Sequence, residues 1–288
     1  MILLLGGTGY IGQAFIKKFM EEDIEYHAIT REDLDYTNFH RIFYYLRANA
    51  KTFDVLINCA GYVGKPNVDA CEDNKGECIK GNVLFPEMIA GICSELMIKY
   101  VHISSGCIYT GYDKEYTEED PPNFCFNSEV EGSFYSGTKA LGEEVLKDKA
   151  AYICRLRIPF DNVDHPRNYL SKLQNYDKLL NMKNSISHKE DFVDACMHLI
   201  TETCNFGTYN ITNTGSVDTE QVCSLISRHL NLNNNFDFFD SEEEFYKLGA
   251  KAPRSNCLLD NSKLLSTGFK MRDTVEALED SLKKWESE

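Results

Sequence analysis

Four consecutive apolar residues, Ile2 to Leu5, pass directly into glycines, and behind them Phe15, Ile16, Phe19 and Met20 recur at the spacing of one helical face. The pattern predicts a buried strand, a turn and a helix. The same alternation continues with a strand over Glu25 to Thr30, a helix from about Asn38 to Ala48 and a strand over Val55 to Asn58. A helix over Val83 to Ile98 follows, apolar on more than one face and with Pro86 tolerated near its start. Val101 to Ile103 form a further short strand ended by Ser104-Ser105-Gly106, and Tyr135 opens a helix running to about Lys147. Short apolar strands alternating with helices predict an α/β fold with a parallel sheet covered on both faces.

Beyond Arg157 the alternation lapses. Ile158-Pro159 to Asn168 is polar and proline-bearing, which predicts a loop over a ligand, and a helix starts near Asn168. Lys189 to Thr203 reads as a helix, Gly207 to Ile211 as a strand, and Asp218 to Leu230 as a helix capped by Asp218. Val275, Leu278, Leu282 and Trp285 share one helical face and close a smaller lobe. The expected division is a dinucleotide-binding domain over residues 1–158, with a return segment at about 189–212, and a mainly substrate-binding lobe over 159–288.

Composition narrows the partners. The 288 residues are 43% hydrophobic and 26% charged, ordinary for a globular chain, but the formal net charge of -15 argues against a nucleic-acid or anionic-membrane surface. Small anions remain the natural ligands. Eleven scattered cysteines, an odd number with no C-x-x-C pair, predict free thiols in a reducing cytoplasm and no metal centre. Ile2 to Leu5 is too short for a signal peptide, and no apolar run approaches the ~20 residues that span a bilayer. There is no internal repeat, and Asn231 to Asn235 reads as a loop. The apolar helices 83–98 and 135–147 are candidates for a homodimer interface.

The candidate chemistry starts at Gly6-Gly7-Thr8-Gly9-Tyr10-Ile11-Gly12. Gly6 permits a tight turn, Gly9 lets the backbone approach a pyrophosphate, and Gly12 allows close packing of helix on strand, with the helix amides free to bind phosphate. Such a run alone is a weak signal; its place on the first strand makes this a Rossmann-type dinucleotide site. Thr30-Arg31 stands where an NAD site carries an acidic residue, so Arg31 favours the 2'-phosphate of NADP, with a plain surface arginine as the alternative. Asp35 is assigned to the adenine side. Cys59-Ala60-Gly61 is small enough for the cofactor to pass, with Cys59 a packed residue, and Val63 to Asp69, with Lys65 and Asn67, reads as a binding loop.

Tyr135 and Lys139, four residues apart, share a helical face, and a lysine held there is expected to lower the phenol from its ordinary value near 10. Ser105, at the strand end, can bond the same substrate oxygen. A Tyr–Lys pair on a helix is most often surface decoration; in order behind the glycine turn, Asn58-Cys59-Ala60-Gly61 and the serine strand end, it becomes a carbonyl-reduction site.

These motifs resemble the extended short-chain dehydrogenase/reductases that act on nucleotide sugars. The resemblance is closest to the bifunctional nucleotide-rhamnose synthases, the 3,5-epimerase/4-reductases of plants and some giant viruses. It rests on Gly-Tyr-Ile-Gly, Asn58-Cys-Ala-Gly61, Gly64-Lys-Pro-Asn-Val-Asp69, Gly106-Cys-Ile-Tyr109, Pro122-Asn-Phe124, Gly132-Ser-Phe-Tyr-Ser136, Pro166-Arg-Asn168 and Ala252-Pro-Arg-Ser-Asn256. It implies epimerisation of a UDP-4-keto-6-deoxyhexose at C3 and C5 and reduction at C4 by NADPH, giving UDP-L-rhamnose. By that resemblance Ser105, Tyr135 and Lys139 carry the reduction, and Cys107 and Lys172 form the epimerisation acid/base pair. Lys65, Asn67, Arg167 and Asn168 fall in the motifs that imply substrate contacts, and Arg254, a planar fork suited to phosphate, is the candidate for the diphosphate. The chain departs in carrying Ser105 where plant members usually have threonine, and in a shorter loop between Tyr109 and Pro122.

Blander roles stand beside these. Cys107 can be a small buried thiol, Lys172 a surface residue or phosphate contact, and Arg254 a surface arginine. At the level of function the alternatives are a 4-reductase alone, a GDP-fucose synthase-like enzyme, and an NADP-binding regulatory subunit without chemistry.

Overall fold

The computed structural model describes residues 1–65, 67–126, 128, 130–230 and 236–286; the Asn231 to Asn235 stretch lies outside them. Six parallel strands form the central sheet: β1 (Ile2–Leu5), β2 (Tyr26–Ile29), β3 (Val55–Asn58), β4 (Lys99–Ser105), β5 (Ala151–Leu156) and β6 (Gly207–Asn210). Their spatial order is β6-β5-β4-β3-β1-β2. This is a doubly wound order: from β1 the chain adds β2 on one side and from β3 it adds β4 and β5 on the other, so the carboxyl ends of the parallel β1 and β3 flank a crevice.

Alternation along the strands assigns the two cores. Leu4, Ile57 and Val101 point to the face packed by Phe15 and Phe19 of helix α1 (Tyr10–Glu21) and by Phe192 and Leu199. Leu3, Leu5, Leu56 and Tyr100 point to the other, where Ile42 and Leu46 of α2 (Phe39–Ala48) and Ile89 and Ile92 of α3 (Phe85–Leu96) cover them. Each fully buried leucine contributes roughly 1.5–3 kcal/mol, so the strand ends that carry the site are rigidly mounted.

The expected boundaries need adjustment where side chains overrule pattern. β4 runs through Ser104 and Ser105, which pair with Arg155 and Leu156 of β5 instead of ending the strand. The helix expected from Val83 is preceded by a π turn at Lys80–Leu84, whose extra residue swings Asn82 fully into the interior. The helix expected from Tyr135, α4, is Phe134–Glu144.

After β5 come α5 (Tyr169–Asn175), α6 (Lys189–Thr201), α7 (Thr219–Leu230) and α8 (Thr274–Lys283). Asp218 does cap α7, accepting from the Gln221 amide at 2.8 Å. A separate apolar cluster joins Phe160, Leu170, Val222, Ile226, Leu278 and Leu282, with Trp285 against it. Val275 is not part of it: α8 starts at Thr274 and turns Ala277, Leu278, Ser281 and Leu282 inward, leaving Val275 43% exposed. None of the described helices is long and apolar enough to cross a membrane.

Candidate active site

The cofactor end of the crevice is built by close backbone approach. Gly6 lies at φ +77°, and a Cβ there would meet the Ala60 amide nitrogen at 2.6 Å, so the turn after β1 rests against the end of β3. At Gly12 a Cβ would stand 2.2 Å from the Gly6 carbonyl oxygen. Gly9 begins α1 with no side-chain cap and no acidic residue in the first turn, leaving its amides to an anion. Tyr36 is buried beside this turn, close enough for the Gly6 backbone to act on its phenol.

Around that turn the predicted contacts divide. Arg31 is exposed at the end of β2, while Asp35 is occupied by the Thr37 hydroxyl and amide in the turn before α2. Cys59 packs against the core and burial pushes its thiol up. Ile11 likewise packs inward. Tyr10 spends its hydroxyl on Asp161 Oδ1 at 2.8 Å and stacks on His165, so of these two residues the backbone, not the side chain, faces the phosphate position.

The reduction group assembles from two elements. Ser105 sits at the end of β4, and Tyr135, 9% exposed on the first turn of α4, lies near enough for the Ser105 hydroxyl to act on its phenol. One turn on, Lys139 donates to the Ile103 carbonyl at 3.3 Å, and a Cβ on Gly61 would lie 3.7 Å from its amine. The helix is seated by Asn82, which bonds Thr138 Oγ1 at 3.1 Å, while a Cβ on Gly142 would meet the Asn82 carbonyl at 2.2 Å.

The expectation that Lys139 lowers the Tyr135 phenol does not hold here. Burial, followed by the neighbouring Cys107, raises the phenol, and the Ser105 hydroxyl offsets this only in part. Burial also brings Lys139 down to about 8, so its charge is kept at neutral pH but lost a little above it. Tyr135 is therefore held as a proton donor, the state that quenches an alkoxide.

A second group borders the first. Cys107, half-buried, packs in the same apolar cluster as Tyr135; its amide donates to Ser105 Oγ at 3.2 Å and its sulfur accepts from Arg157 Nη1 at 3.7 Å. Lys172 projects from α5. Burial lowers it, Arg167 and Arg254 add to that, and Cys107 opposes, so Lys172 feels the charge of each of these three side chains. Arg254 is not free for phosphate: its fork grips Asp69 at 2.7 and 3.0 Å, and Asp69 also accepts from the Ala252 amide, tying the Val63–Asp69 loop to the Ala252–Asn256 run. On that loop Lys65 and Asn67 are exposed, with Asn67 Oδ1 turned back onto the Asp69 amide. An open cleft of about 400 Å³ beside Arg254 is lined by Phe124, Val130, Tyr246 and Pro253.

Asn168 is a correction. It is fully buried; its amide donates to Asp161 and Val163, and its oxygen caps α5 on the Leu170 amide, so it has no atom left for a substrate. Its role is to seat the helix that carries Lys172. An asparagine just before a helix is itself the signal for this. Asn82, Arg157 and Asp161 escaped the sequence reading, and no local pattern marks them.

The RmlD substrate binding domain model matches residues 1–287. The chain belongs to the RmlD substrate-binding-domain family. Its fold is accordingly that of the extended short-chain dehydrogenase/reductases. A bifunctional dTDP-4-dehydrorhamnose 3,5-epimerase/dTDP-4-dehydrorhamnose reductase of Arabidopsis thaliana is 33% identical over 233 residues, covering 77% of this chain and 74% of that protein. A trifunctional UDP-glucose 4,6-dehydratase/UDP-4-keto-6-deoxy-D-glucose 3,5-epimerase/UDP-4-keto-L-rhamnose-reductase of the same plant is 33% identical over 219 residues; the match covers 73% of this chain and only 31% of that longer protein. Among solved structures, the UDP-rhamnose synthase of Acanthamoeba polyphaga mimivirus superposes with a TM-score of 0.88 over 98% of both chains at 24% identity. In this RmlD family member, the enzyme fold and the Ser–Tyr–Lys arrangement thus coincide.

Proposed function

We propose that this RmlD family member epimerises a UDP-4-keto-6-deoxyhexose at C3 and C5 and then reduces C4, giving UDP-L-rhamnose. The carrying observation is that Cys107 borders Ser105 and Tyr135 and that the buried Lys172 amine lies within reach of the Cys107 charge: two proton-transfer groups more than a reductase needs.

The chemistry orders the steps. The C3 and C5 protons are acidic only while C4 is a ketone, because the carbanion delocalises onto that oxygen, so epimerisation precedes reduction. Ser105 and Tyr135 hydrogen-bond the enolate oxygen, and Tyr135 later donates its proton to the C4 alkoxide. Lys172, lowered by burial and by two arginines, is available as the amine that removes a proton. Cys107 returns one from the other face.

The uncapped α1 amides and the glycine approach suit a dinucleotide, and Arg31 suits a 2'-phosphate, so the cofactor is assigned as NADPH. When bound it supplies the hydride to C4. Lys139, beside Gly61, would hold its side of the cofactor, and Arg167 would meet the substrate diphosphate, joined by Arg254 once the diphosphate displaces Asp69 from its fork. Eleven unpaired thiols suit a reducing cytoplasm. The exposed Leu84 and Leu141, beside α3 and on α4, suit a homodimer face, which sedimentation equilibrium tests.

The test is incubation with UDP-4-keto-6-deoxyglucose and NADPH in D2O: deuterium enters C3 and C5 and NADPH is oxidised. Absence of both deuterium incorporation and NADPH oxidation would refute the proposal. The arginines around Lys172 favour one rival, in which Lys172 binds phosphate and the enzyme only reduces C4. It predicts NADPH oxidation with the pre-epimerised ketone and no deuterium.

A further inference from the structure

Two arginines on neighbouring turns of chain around β5 are buried, and they are treated differently. Arg155, 3% exposed, is neutralised by Glu143, which accepts from its Nε and Nη2 at 3.0 and 2.7 Å. Arg157 is 1% exposed, yet among the described residues none of its hydrogen-bond partners is a carboxylate: Nη1 donates to the Gly106 carbonyl at 3.1 Å, to Ser255 Oγ at 3.0 Å and to Cys107 Sγ at 3.7 Å, and Nη2 donates to the Ser255 carbonyl and to Asn184 Oδ1. Its Nε is buried with no hydrogen-bond partner among the described residues. A guanidinium taken out of water without a counter-ion is costly, and a fold keeps one where a negative charge comes and goes. Among the atoms it contacts, the Cys107 sulfur is the one that can become an anion.

We infer that Arg157 is a positioning residue for epimerisation, holding the Cys107 sulfur toward the sugar and balancing the thiolate that forms when Cys107 gives up its proton. This rests on the proposed epimerase reading. In the step, the Lys172 amine takes the proton from the sugar carbon, breaking C–H and forming N–H while the electron pair enters the enolate. Cys107 S–H then breaks as its proton forms the new C–H on the opposite face, and the electron pair collapses back from oxygen. The products are a lysine ammonium and a thiolate facing Arg157; water exchanges protons with both, and nothing is oxidised or reduced. Because the same guanidinium holds Ser255 and Asn184, it also ties the end of β4 to the substrate lobe, which fixes the direction from which the sulfur meets the sugar.

The experiment compares wild type with Arg157→Met, Arg157→Lys and Asn184→Ala, measuring deuterium entry at C3 and C5 and NADPH oxidation on the pre-epimerised ketone. Iodoacetamide labelling of Cys107 at pH 7, read by peptide mass, measures the contact without turnover. In Arg157→Met the ratio of exchange to reduction falls by about tenfold or more, in kcat more than in KM, and Cys107 labels several-fold more slowly. Arg157→Lys, which keeps the charge, recovers part of both. If the methionine variant does not fold, Asn184→Ala decides, because it loosens the fork and retains the charge; a smaller drop in the same ratio is expected. Exchange and reduction falling in parallel with Cys107 labelling unchanged would overturn the inference. Absence of deuterium in the wild type while reduction proceeds overturns the epimerase reading instead, and the two failures are thereby told apart.

Discussion

Asn168 donates its side-chain amide to both the carboxylate and the carbonyl oxygen of Asp161, at 2.8 and 2.9 Å. Asp161 in turn accepts from the Tyr10 hydroxyl and pairs with Lys189, so one buried carboxylate links the glycine turn to the helix bearing Lys172. Asn168→Ala removes these bonds and the α5 cap together and is expected to cost about 2–4 kcal/mol in urea unfolding. Deuterium exchange should fall further than NADPH affinity, because α5 shifts while the cofactor amides remain. A stability loss under about 0.5 kcal/mol would show that the network is not structural.

The glycines separate packing from binding. A methyl on Gly12 meets the Gly6 carbonyl at 2.2 Å, whereas one on Gly9 meets the same oxygen at 3.3 Å. Gly12→Ala should therefore displace α1 from β1 and lower thermal stability. Gly9→Ala should fold normally yet bind NADPH at least about tenfold more weakly by fluorescence titration, since the added methyl crowds the approach to the pyrophosphate. Equal losses of stability in both variants would contradict this.

What the chain discloses about itself follows how local each feature is. The strand–glycine–helix unit and the Tyr135–Lys139 spacing are written in a few consecutive residues, and the strand alternation that sorts Leu3 and Leu5 from Leu4 is equally local. Asn82 reaches Thr138 across 56 positions, and Arg157 reaches Cys107 across 50 and Ser255 across 98. Periodicity carries no trace of such pairings. The direction of the Tyr135 shift was misjudged for a related reason: spacing places a lysine near the phenol but says nothing of burial, and burial is the larger effect on both groups.

Arg254 and Asp69 form a partly exposed pair, with side chains 25% and 21% accessible. A diphosphate must compete with that carboxylate for the fork. Arg254→Ala is expected to raise KM for the nucleotide sugar about tenfold with kcat little changed, the loss of a charge-assisted contact made equally in ground and transition states. Asp69→Asn keeps an acceptor for the Ala252 amide while removing the charge, and should lower KM by up to about fivefold, the worth of an exposed ion pair. Steady-state kinetics on both variants check the opposite signs; a rise in KM for both would mean that the loop latch, not the free fork, serves binding.

The last expectation concerns Lys139, which burial lowers from 10.5 to about 8. Between those two values the unfolded chain binds a proton that the folded protein does not, so the charge penalises folding fully below about 8 and the penalty fades as pH rises toward 10.5. Lys139→Met should accordingly be more stable than wild type at pH 7, by about 2 kcal/mol, with the gap closing by pH 10. Activity has the opposite slope. On the proposed reading the Lys139 ammonium would face the cofactor; it is present below about 8 and lost above it, so kcat/KM for NADPH should fall about tenfold per pH unit beyond that point in wild type and stay flat and low in Lys139→Met. Tyr135→Phe should cut reduction by roughly 10²–10⁴ across the whole range, because the lost group is the proton donor itself. A wild-type profile level through pH 9 would mean that the Lys139 charge does not contribute to turnover.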